Sequence, residues 1–235
     1  MSAQKGNVLF LILIAVALFA ALSYAVTRST RGGGNTANET SRLDASQIIQ
    51  IASSLKVDID RFMIIHHLDI HEISFTNPVE GGYTNPAPFP TSQQLFHSNG
   101  GGSSWPRTPG NTAKWILTGS SGALGFGKDS GCTNSTPCSE LMLILNDVPL
   151  DLCKKLNDLE GVTNTGGNPP LDSGDWESIP FQGSRTNFLA GGHMFNGTNG
   201  ENDGKLFGCV ETTQGYRGAP GTYYFYYVLL TDIHS

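Results

Sequence analysis

The sequence has little charge. Asp, Glu, Lys and Arg make up only 14% of its 235 residues, and the formal net charge is −6. A protein that binds nucleic acid needs clustered basic side chains to neutralise the phosphates, and the sequence contains no basic stripe of that kind. The composition therefore argues against a nucleic-acid partner.

The sequence also lacks complete catalytic motifs. The G-x-S-x-G elbow of serine hydrolases is absent, and neither a Ser/His/Asp set nor a carboxylate pair can be nominated. Gly122–Lys128 matches most of a phosphate-binding G-x-x-x-x-G-K loop, but Asp129 follows where Ser or Thr should bind magnesium. We therefore expect a protein that is not an enzyme and that binds no cofactor.

Patterns for metal binding are incomplete as well. The four cysteines lack the paired Cys-x-x-Cys spacing of zinc sites. The densest group of possible ligands consists of His66, His67, Asp69, His71 and Glu72. We interpret that group as a polar helix end, and Asn196–Gly204, which lacks the terminal bidentate Glu of a calcium loop, as a solvated hairpin loop. No metal site is expected.

The most prominent feature that is present is an apolar run from Val8 to Val26, with no charge, Gly or Pro. As a helix it would span roughly 28 Å, close to the hydrocarbon thickness of a bilayer, which predicts a transmembrane helix. Two ordinary interpretations are a plain anchor and a signal peptide that is cleaved after Ala25. Either one makes the remaining chain a domain that is tethered to, or exported across, a membrane, although the positive charges on both sides of the run leave the orientation of a plain anchor open. In an exported chain, an even number of cysteines favours disulfides.

A third interpretation depends on the residues before the run. Lys5-Gly6 followed at once by Asn7 and the apolar helix resembles the N-terminus of type IV pilins and pseudopilins. The resemblance implies a leader peptide of residues 1–6, cleavage between Gly6 and Asn7, and a retained helix over residues 7–27 that packs against the helices of other subunits. The apolar residues expected to make this helix–helix contact are Val8, Leu9, Phe10, Leu11, Leu13, Ile14, Leu18, Phe19 and Leu22.

One position departs from the family pattern. Major pilins usually carry Glu as the fifth mature residue, and Leu11 occupies that position here. An unpaired charge in an apolar filament core is costly, so the absence of this Glu changes how the subunit can dock. The sequence in this respect resembles minor, tip-type pseudopilins.

The next segments predict a neck and a second helix. Residues 28–40 contain Gly32-Gly33-Gly34, which favours a flexible neck, and the predicted globular domain occupies residues 41–235. Apolar residues from Leu43 to Met63 recur at spacings of three and four, which predicts an amphipathic helix from about Asp44 to about Ile65. This helix is either the second half of a pilin-type helix or an ordinary core helix.

Strands are predicted at residues 72–75, 114–117, 141–145 and 222–230, and a long loop region at residues 77–111. Pro149 can open a short helix through Leu156. Val148, Pro149 and Cys153 resemble the "VPxxxC" element of type IVb-like pilins, in which this cysteine is bonded to one near the C-terminus. Four cysteines allow three connectivities. The resemblance implies Cys153–Cys209, and with it we expect Cys132–Cys138.

The expected fold is therefore α+β: an N-terminal transmembrane helix and an amphipathic helix packed on an antiparallel β-sheet with long loops. The expected function is that of a structural subunit of a pilus (fimbrium) or secretion pseudopilus. Such a subunit binds itself or other pilin-like subunits, and the inner membrane before assembly. It would lie in a bacterial inner membrane with an extracytoplasmic domain, or in an extracellular filament.

The alternative is a membrane-anchored or secreted binding module that recognises surface glycans in cell adhesion, and an exported hydrolase is a third possibility. Aromatic side chains that could stack on sugars are Trp105, Trp115, Trp176, Tyr223, Tyr224, Tyr226 and Tyr227. The interpretation of the tyrosines as core and cross-strand packing competes with this one.

Overall fold

In a computed structural model, the described part of the chain contains three α-helices and a six-stranded β-sheet. The structure describes residues 7–29, 33–85, 89–108, 114–123, 140–172, 180–183, 193–195, 200–213 and 221–231. Two compact units divide the chain, Met1–Ser41 and Arg42–Ser235. The predicted leader, residues 1–6, lies outside the described residues.

The apolar run forms helix α1, Asn7–Ser29, as expected for a run rich in Leu and Ala without Gly or Pro. The prediction that this helix is transmembrane is wrong, because no helix within the described residues combines the length and the apolar character needed to cross a membrane. The side chains described in α1 extend from Phe10 to Tyr24.

Helix α2, Gly33–His66, starts well before the predicted Asp44 and ends at the predicted place. The predicted neck, residues 28–40, overlaps the end of α1 and the beginning of α2, while residues 30–32 lie outside the described part. One side of α2 is buried at spacings of three and four, by Ala45, Ile48, Ala52, Leu55, Ile59 and Phe62. Leu43 was expected to share the buried side of this helix, but it is largely exposed.

The six strands are β1 (Trp115–Ala123), β2 (Glu140–Leu145), β3 (Leu171–Asp172), β4 (His193–Phe195), β5 (Phe207–Thr212) and β6 (Tyr223–Leu230). Their order across the sheet is β3-β5-β6-β2-β1-β4. The four central strands pair antiparallel, but β3 pairs parallel with β5, and β4 pairs parallel with β1. The prediction of an antiparallel sheet is therefore wrong for both edges, and the sheet is mixed.

The central strands β2 and β6 are buried on both faces. Leu143 and Tyr227 are register partners on the face that shares one apolar cluster with α2. Ile144 and Tyr226 are the next pair and belong to a second cluster on the opposite face. Successive side chains of a strand point to opposite faces, so a strand with two buried faces needs a continuous apolar run. The sequences of β2 and β6 have that pattern.

Three of the other predicted elements have different bounds. The strand predicted at residues 72–75 is a 3-10 helix, Ile70–Glu72, followed by a single bridge between Ser74 and Gln94. Strand β1 begins at Trp115 and continues past the predicted end. Helix α3, Leu150–Glu160, is longer than the predicted short helix and ends where Gly161 adopts a left-handed conformation, with φ of 72°.

Aromatic contacts fix the predicted long loop region to the sheet. The Tyr83 hydroxyl accepts a hydrogen bond from the Leu117 N–H of β1 at 2.9 Å, and burial raises the pKa of this phenol. The ring centroid of Tyr83 is 4.9 Å from that of Trp105, which in turn is 5.3 Å from that of Phe96. The described part of this loop region therefore contributes aromatic side chains to the core.

Replacing Leu143 should test the central position of this core. Leu143 is 0% exposed and lies between β1 and β6, so Leu143→Ala leaves a cavity and should lower the free energy of unfolding by about 3 kcal/mol. Urea unfolding followed by circular dichroism measures the loss. Leu159→Ala on the exposed side of α3 is the matched control, with an expected loss below about 1 kcal/mol. Equal losses in the two variants would contradict the assignment of the core.

Candidate assembly surface

Helix α1 presents apolar side chains to the outside over its described length. The exposed fractions of its large apolar residues lie between 40% at Ile14 and 74% at Phe19. Phe10, Leu11, Ile12 and Leu13 are consecutive and each is more than half exposed. Since successive residues of a helix are rotated by about 100°, these side chains point in all directions around the axis. No side of this part of α1 is covered.

A helix that is apolar on all sides is stable in water only when something buries it. Ordinary surface leucines occur singly, but a continuous apolar surface of this length marks a contact site. The described side chains of α1 include no charged residue between Phe10 and Tyr24. The contact that α1 can make is therefore one of apolar packing.

The expected contact residues fall into two groups in the structure. Phe10, Leu11, Leu13, Ile14, Leu18, Phe19 and Leu22 are all exposed on α1. Asn7, Val8 and Leu9 belong to the same helix, but their side chains lie outside the described part, as does Gly6 altogether. The processing position is thus a prediction about residues that the structure does not describe.

A disulfide joins α3 to the sheet in the second unit. Cys153 of α3 is bonded to Cys209 of β5, with 5.3 Å between the Cα atoms, which confirms the predicted pair. The bond closes a loop with a sequence separation of 56, for which the chain-entropy model gives about 4 kcal/mol of stabilisation. The other predicted pair, Cys132–Cys138, lies outside the described residues.

Asn157 forms a second link between the same two elements. Its side-chain Oδ1 accepts a hydrogen bond from the Cys209 N–H at 2.7 Å, and its Nδ2 donates to the Cys209 carbonyl at 2.9 Å. Nδ2 also donates to Asn164 Oδ1 at 2.9 Å, so the buried amide uses its acceptor and both of its donors. The amide thus pairs with Cys209 as a neighbouring strand would.

The outer edge of β5 is covered from Cys209 onward. Alternate N–H groups point away from β6, at Cys209 and Glu211 of β5 and at Thr213, the residue after its end. They donate to Asn157 Oδ1, to the Pro170 carbonyl and to the Asp172 carbonyl, respectively. Unpaired N–H and C=O groups at a sheet edge are a template for unwanted pairing, so this edge is protected by a helix side chain and by the short strand β3.

Sequence reasoning did not identify Asn157. One signal was available: Asn157 follows Cys153 by four residues and therefore lies on the same side of α3. Asn is a poor residue for a helix interior, because its amide competes for backbone groups, so its presence beside a bonded cysteine indicates a specific contact.

The group of possible metal ligands around His66 has structural roles. Asp69 Oδ1 accepts from the His71 N–H at 3.0 Å, and Glu72 Oε2 accepts from the Asp69 N–H at 2.9 Å. These two contacts form a capping box for the 3-10 helix, and His67 ends α2 with a φ of 51°. Among the described residues no set of three or more His, Cys, Asp or Glu side chains is arranged to hold a metal ion.

The aromatic residues considered for glycan stacking are mostly buried. Trp105 is 6% exposed, and Trp115, Tyr224, Tyr226 and Tyr227 are also buried. Tyr223 is partly buried against the same core, and Trp176 lies outside the described residues. Burial raises the pKa of Tyr226, helped by the nearby carboxylates of Glu160 and Asp172. A ring that packs inside the core offers no face to a sugar, so these residues do not favour glycan binding.

Comparison with known proteins gives no assignment. No protein-family model matches the chain, and no curated protein or solved structure is significantly similar to it. The resemblance to type IV pilins therefore depends on the two sequence motifs alone and stays a prediction.

Removing the Asn157 amide should destabilise the second unit even with the disulfide intact. Asn157→Ala leaves the N–H and C=O of Cys209 buried without partners, and we expect a loss of about 2–4 kcal/mol in the free energy of unfolding. Urea unfolding under non-reducing conditions measures this loss in the free energy of unfolding. Asn168→Ala, an exposed Asn in the loop after α3, is the matched control and should change stability little. A loss for Asn157→Ala no larger than for this control would contradict the stabilising role of the Asn157 amide.

Proposed function

We propose that this protein is a structural subunit that assembles by packing its α1 helix against the α1 helices of other copies or of similar subunits. The second unit, held by Cys153–Cys209 and Asn157, is the part that the assembly displays. In this role it is similar to a type IV pilin or a minor pseudopilin. The observation that carries the proposal is the exposure of apolar side chains on every side of α1.

The energy of this packing indicates how many neighbours the helix needs. Burying the exposed apolar side chains of α1 would release on the order of 10 kcal/mol, from about 1.5–3 kcal/mol for each fully buried side chain. Association costs a similar amount in lost freedom of motion. A single neighbour covers only one side of the helix, so stable assembly requires several neighbouring helices around each α1.

Leu11 supports a packing mode without ion pairs. It is 59% exposed and stands where the resemblance would place a Glu in a major pilin. A Glu in an apolar bundle needs a positive partner, whereas Leu11 packs wherever an apolar surface is available. The proposal is therefore a minor or tip-type subunit, docked by shape and apolar contact.

The disulfide supports a place outside the cytoplasm. Disulfides persist in oxidising compartments and are rare where glutathione and thioredoxin keep thiols reduced. Cys153–Cys209 links two elements of the core and is buried, as expected for a structural bond. We therefore propose that the displayed unit lies on the extracytoplasmic side, in an extracellular filament or a secretion pseudopilus.

Polar substitutions on two sides of α1 should abolish assembly. Leu13 and Leu18 point in different directions around the helix and are 65% and 66% exposed. We expect Leu13→Gln/Leu18→Gln to shift the full chain from large assemblies to monomers after detergent removal, because each buried Gln would lack hydrogen-bond partners. Sedimentation velocity and electron microscopy measure the change.

Two controls make this test specific. Leu13→Met/Leu18→Met keeps the volume and apolar character and should assemble like the unmodified protein. Leu159→Gln places the same polar group on the exposed side of α3 and should also leave assembly unchanged. A monomeric unmodified chain, or normal assembly of the Gln double variant, would show that α1 is not the assembly surface.

The N-terminus of the mature protein separates the proposal from its alternatives. We expect intact-mass analysis of the protein purified from a bacterial host with a pilin leader peptidase to give a chain that begins at N-methylated Asn7. Gly6→Leu should block this cleavage, while Ser2→Ala should leave it unchanged. A chain that begins at Val26 would instead indicate secretion, and a chain that keeps residues 1–6 would contradict leader processing.

A further inference from the structure

The outer side of α2 carries an apolar stripe that its own unit does not use. Leu43, Val57 and Ile64 are 71%, 61% and 73% exposed, and Gln50 occupies the remaining position of the same seven-residue spacing. Seven residues are nearly two helical turns, so these side chains follow one side of the helix at intervals of about 10.5 Å. Ile59, on the core side, is rotated about 200° from Val57. The stripe therefore lies opposite the buried side of α2.

A groove runs beside this stripe, between α2 and the loop of residues 104–107. It has a volume of about 350 Å³ and an apolar floor formed by Ile51, Leu55 and Pro106. Its helix wall, between Gln47 and Asp58, extends about 16 Å along the axis. That length accommodates two successive side chains of the stripe, which are about 10.5 Å apart.

Charges lie on both sides of the groove and of the stripe. Asp58 is on the helix wall and Arg107 is on the loop wall, and neither makes an ion pair within the described part of the chain. Beside Val57 on the stripe, Asp60 lies to one side and Arg61 to the other, since they follow it by three and four residues. Asp60 is already ion-paired with Lys56 at 2.8 Å, whereas Arg61 makes no ion pair among the described residues. A stripe that enters the groove in one of its two directions places Arg61 near Asp58, which is likewise without an ion-pair partner there.

We propose that the stripe on α2 of one copy packs into the groove beside α2 of a second copy. This inference depends on the proposed assembly through α1 and names the second contact between subunits. The contact joins two neighbouring patches that meet at Gln50, a convex stripe on one copy and a concave groove on the next. It therefore leaves a free stripe and a free groove at the ends. Such a heterologous contact adds copies in a row instead of closing a dimer.

The size of the stripe points to a second copy rather than a separate partner. Its exposed apolar side chains offer roughly 300 Å² for burial, far below the ~800 Å² that each side of a stable interface buries. The contact therefore needs support from another interface between the same two molecules. A copy already bound through α1 supplies that support as a high effective concentration.

Cross-linking of full-length variants that each carry one added cysteine, with the native cysteines retained, tests the arrangement. Val57→Cys places a thiol on the stripe, and Ser104→Cys places one on the loop wall of the groove. In a mixed assembly of the two variants, a short bis-maleimide should join Val57→Cys of one copy to Ser104→Cys of another. Leu159→Cys mixed with Ser104→Cys gives the background, because Leu159 is exposed on α3 and lies outside the stripe.

A second measurement uses the strength of assembly. Val57→Ser/Ile64→Ser should raise the concentration needed for assembly about tenfold, while Leu159→Ser should not change it. The substituted side chains are exposed, so the variants should unfold at the same urea concentration as the unmodified protein.

The outcomes separate this inference from the proposed function. If the unmodified chain is a monomer, both fail. If it assembles through α1 but the stripe-to-groove cross-link stays at background, or if Val57→Cys cross-links mainly to itself, only the α2 contact is overturned. An unchanged assembly concentration for Val57→Ser/Ile64→Ser would overturn it as well.

Discussion

The position of Cys209 is the constraint on which the second unit depends. Its sulfur forms a disulfide with Cys153, and its N–H and C=O are both hydrogen-bonded to the side-chain amide of Asn157. One residue of β5 is therefore attached to one side of α3 by a covalent bond and by two hydrogen bonds. Once α3 is fixed on β5, Leu152 and Leu156 are buried in the same cluster as the strands. The placement of the helix layer on this part of the sheet follows from that attachment.

The first unit has the opposite character. In the second unit, apolar side chains find partners within the chain, on both faces of β2 and β6. In α1 they point outward on all sides over the described residues. The hydrophobic effect acts on both sets alike, at about 25 cal/mol for each Å² removed from water. The apolar side chains described in α1 do not gain this free energy within their own unit.

Local pattern predicted part of this structure. The runs at residues 141–145 and 222–230 are continuous, β-prone and apolar, and they became β2 and β6 nearly as predicted. The Cys153–Cys209 pair followed from the resemblance in the "VPxxxC" element. The prediction placed Leu43 on the buried side of α2, but this residue is exposed. Apolar spacings of three and four identify the buried side of a helix, but they do not exclude further apolar residues on its outer side.

Sequence patterns could not predict which distant segments of the chain pair with each other. The parallel edge strands β3 and β4 are only two and three residues long, too short to show any periodicity, and their partners lie far away along the chain. The contact of Asn157 with Cys209 is equally non-local, because nothing near Asn157 in sequence identifies its partner. Similarly, a hydropathy pattern shows that the residues of α1 are apolar, but it does not show whether they are buried or exposed.

The covered edge of β5 has a consequence for how copies of this protein can associate. Some fibres grow when each subunit donates an extended segment that completes the sheet of the next. From Cys209 to Thr213 the hydrogen-bonding groups that would receive such a donated segment are already occupied. At β5 the sheet therefore cannot be extended by another molecule without first displacing α3 and β3.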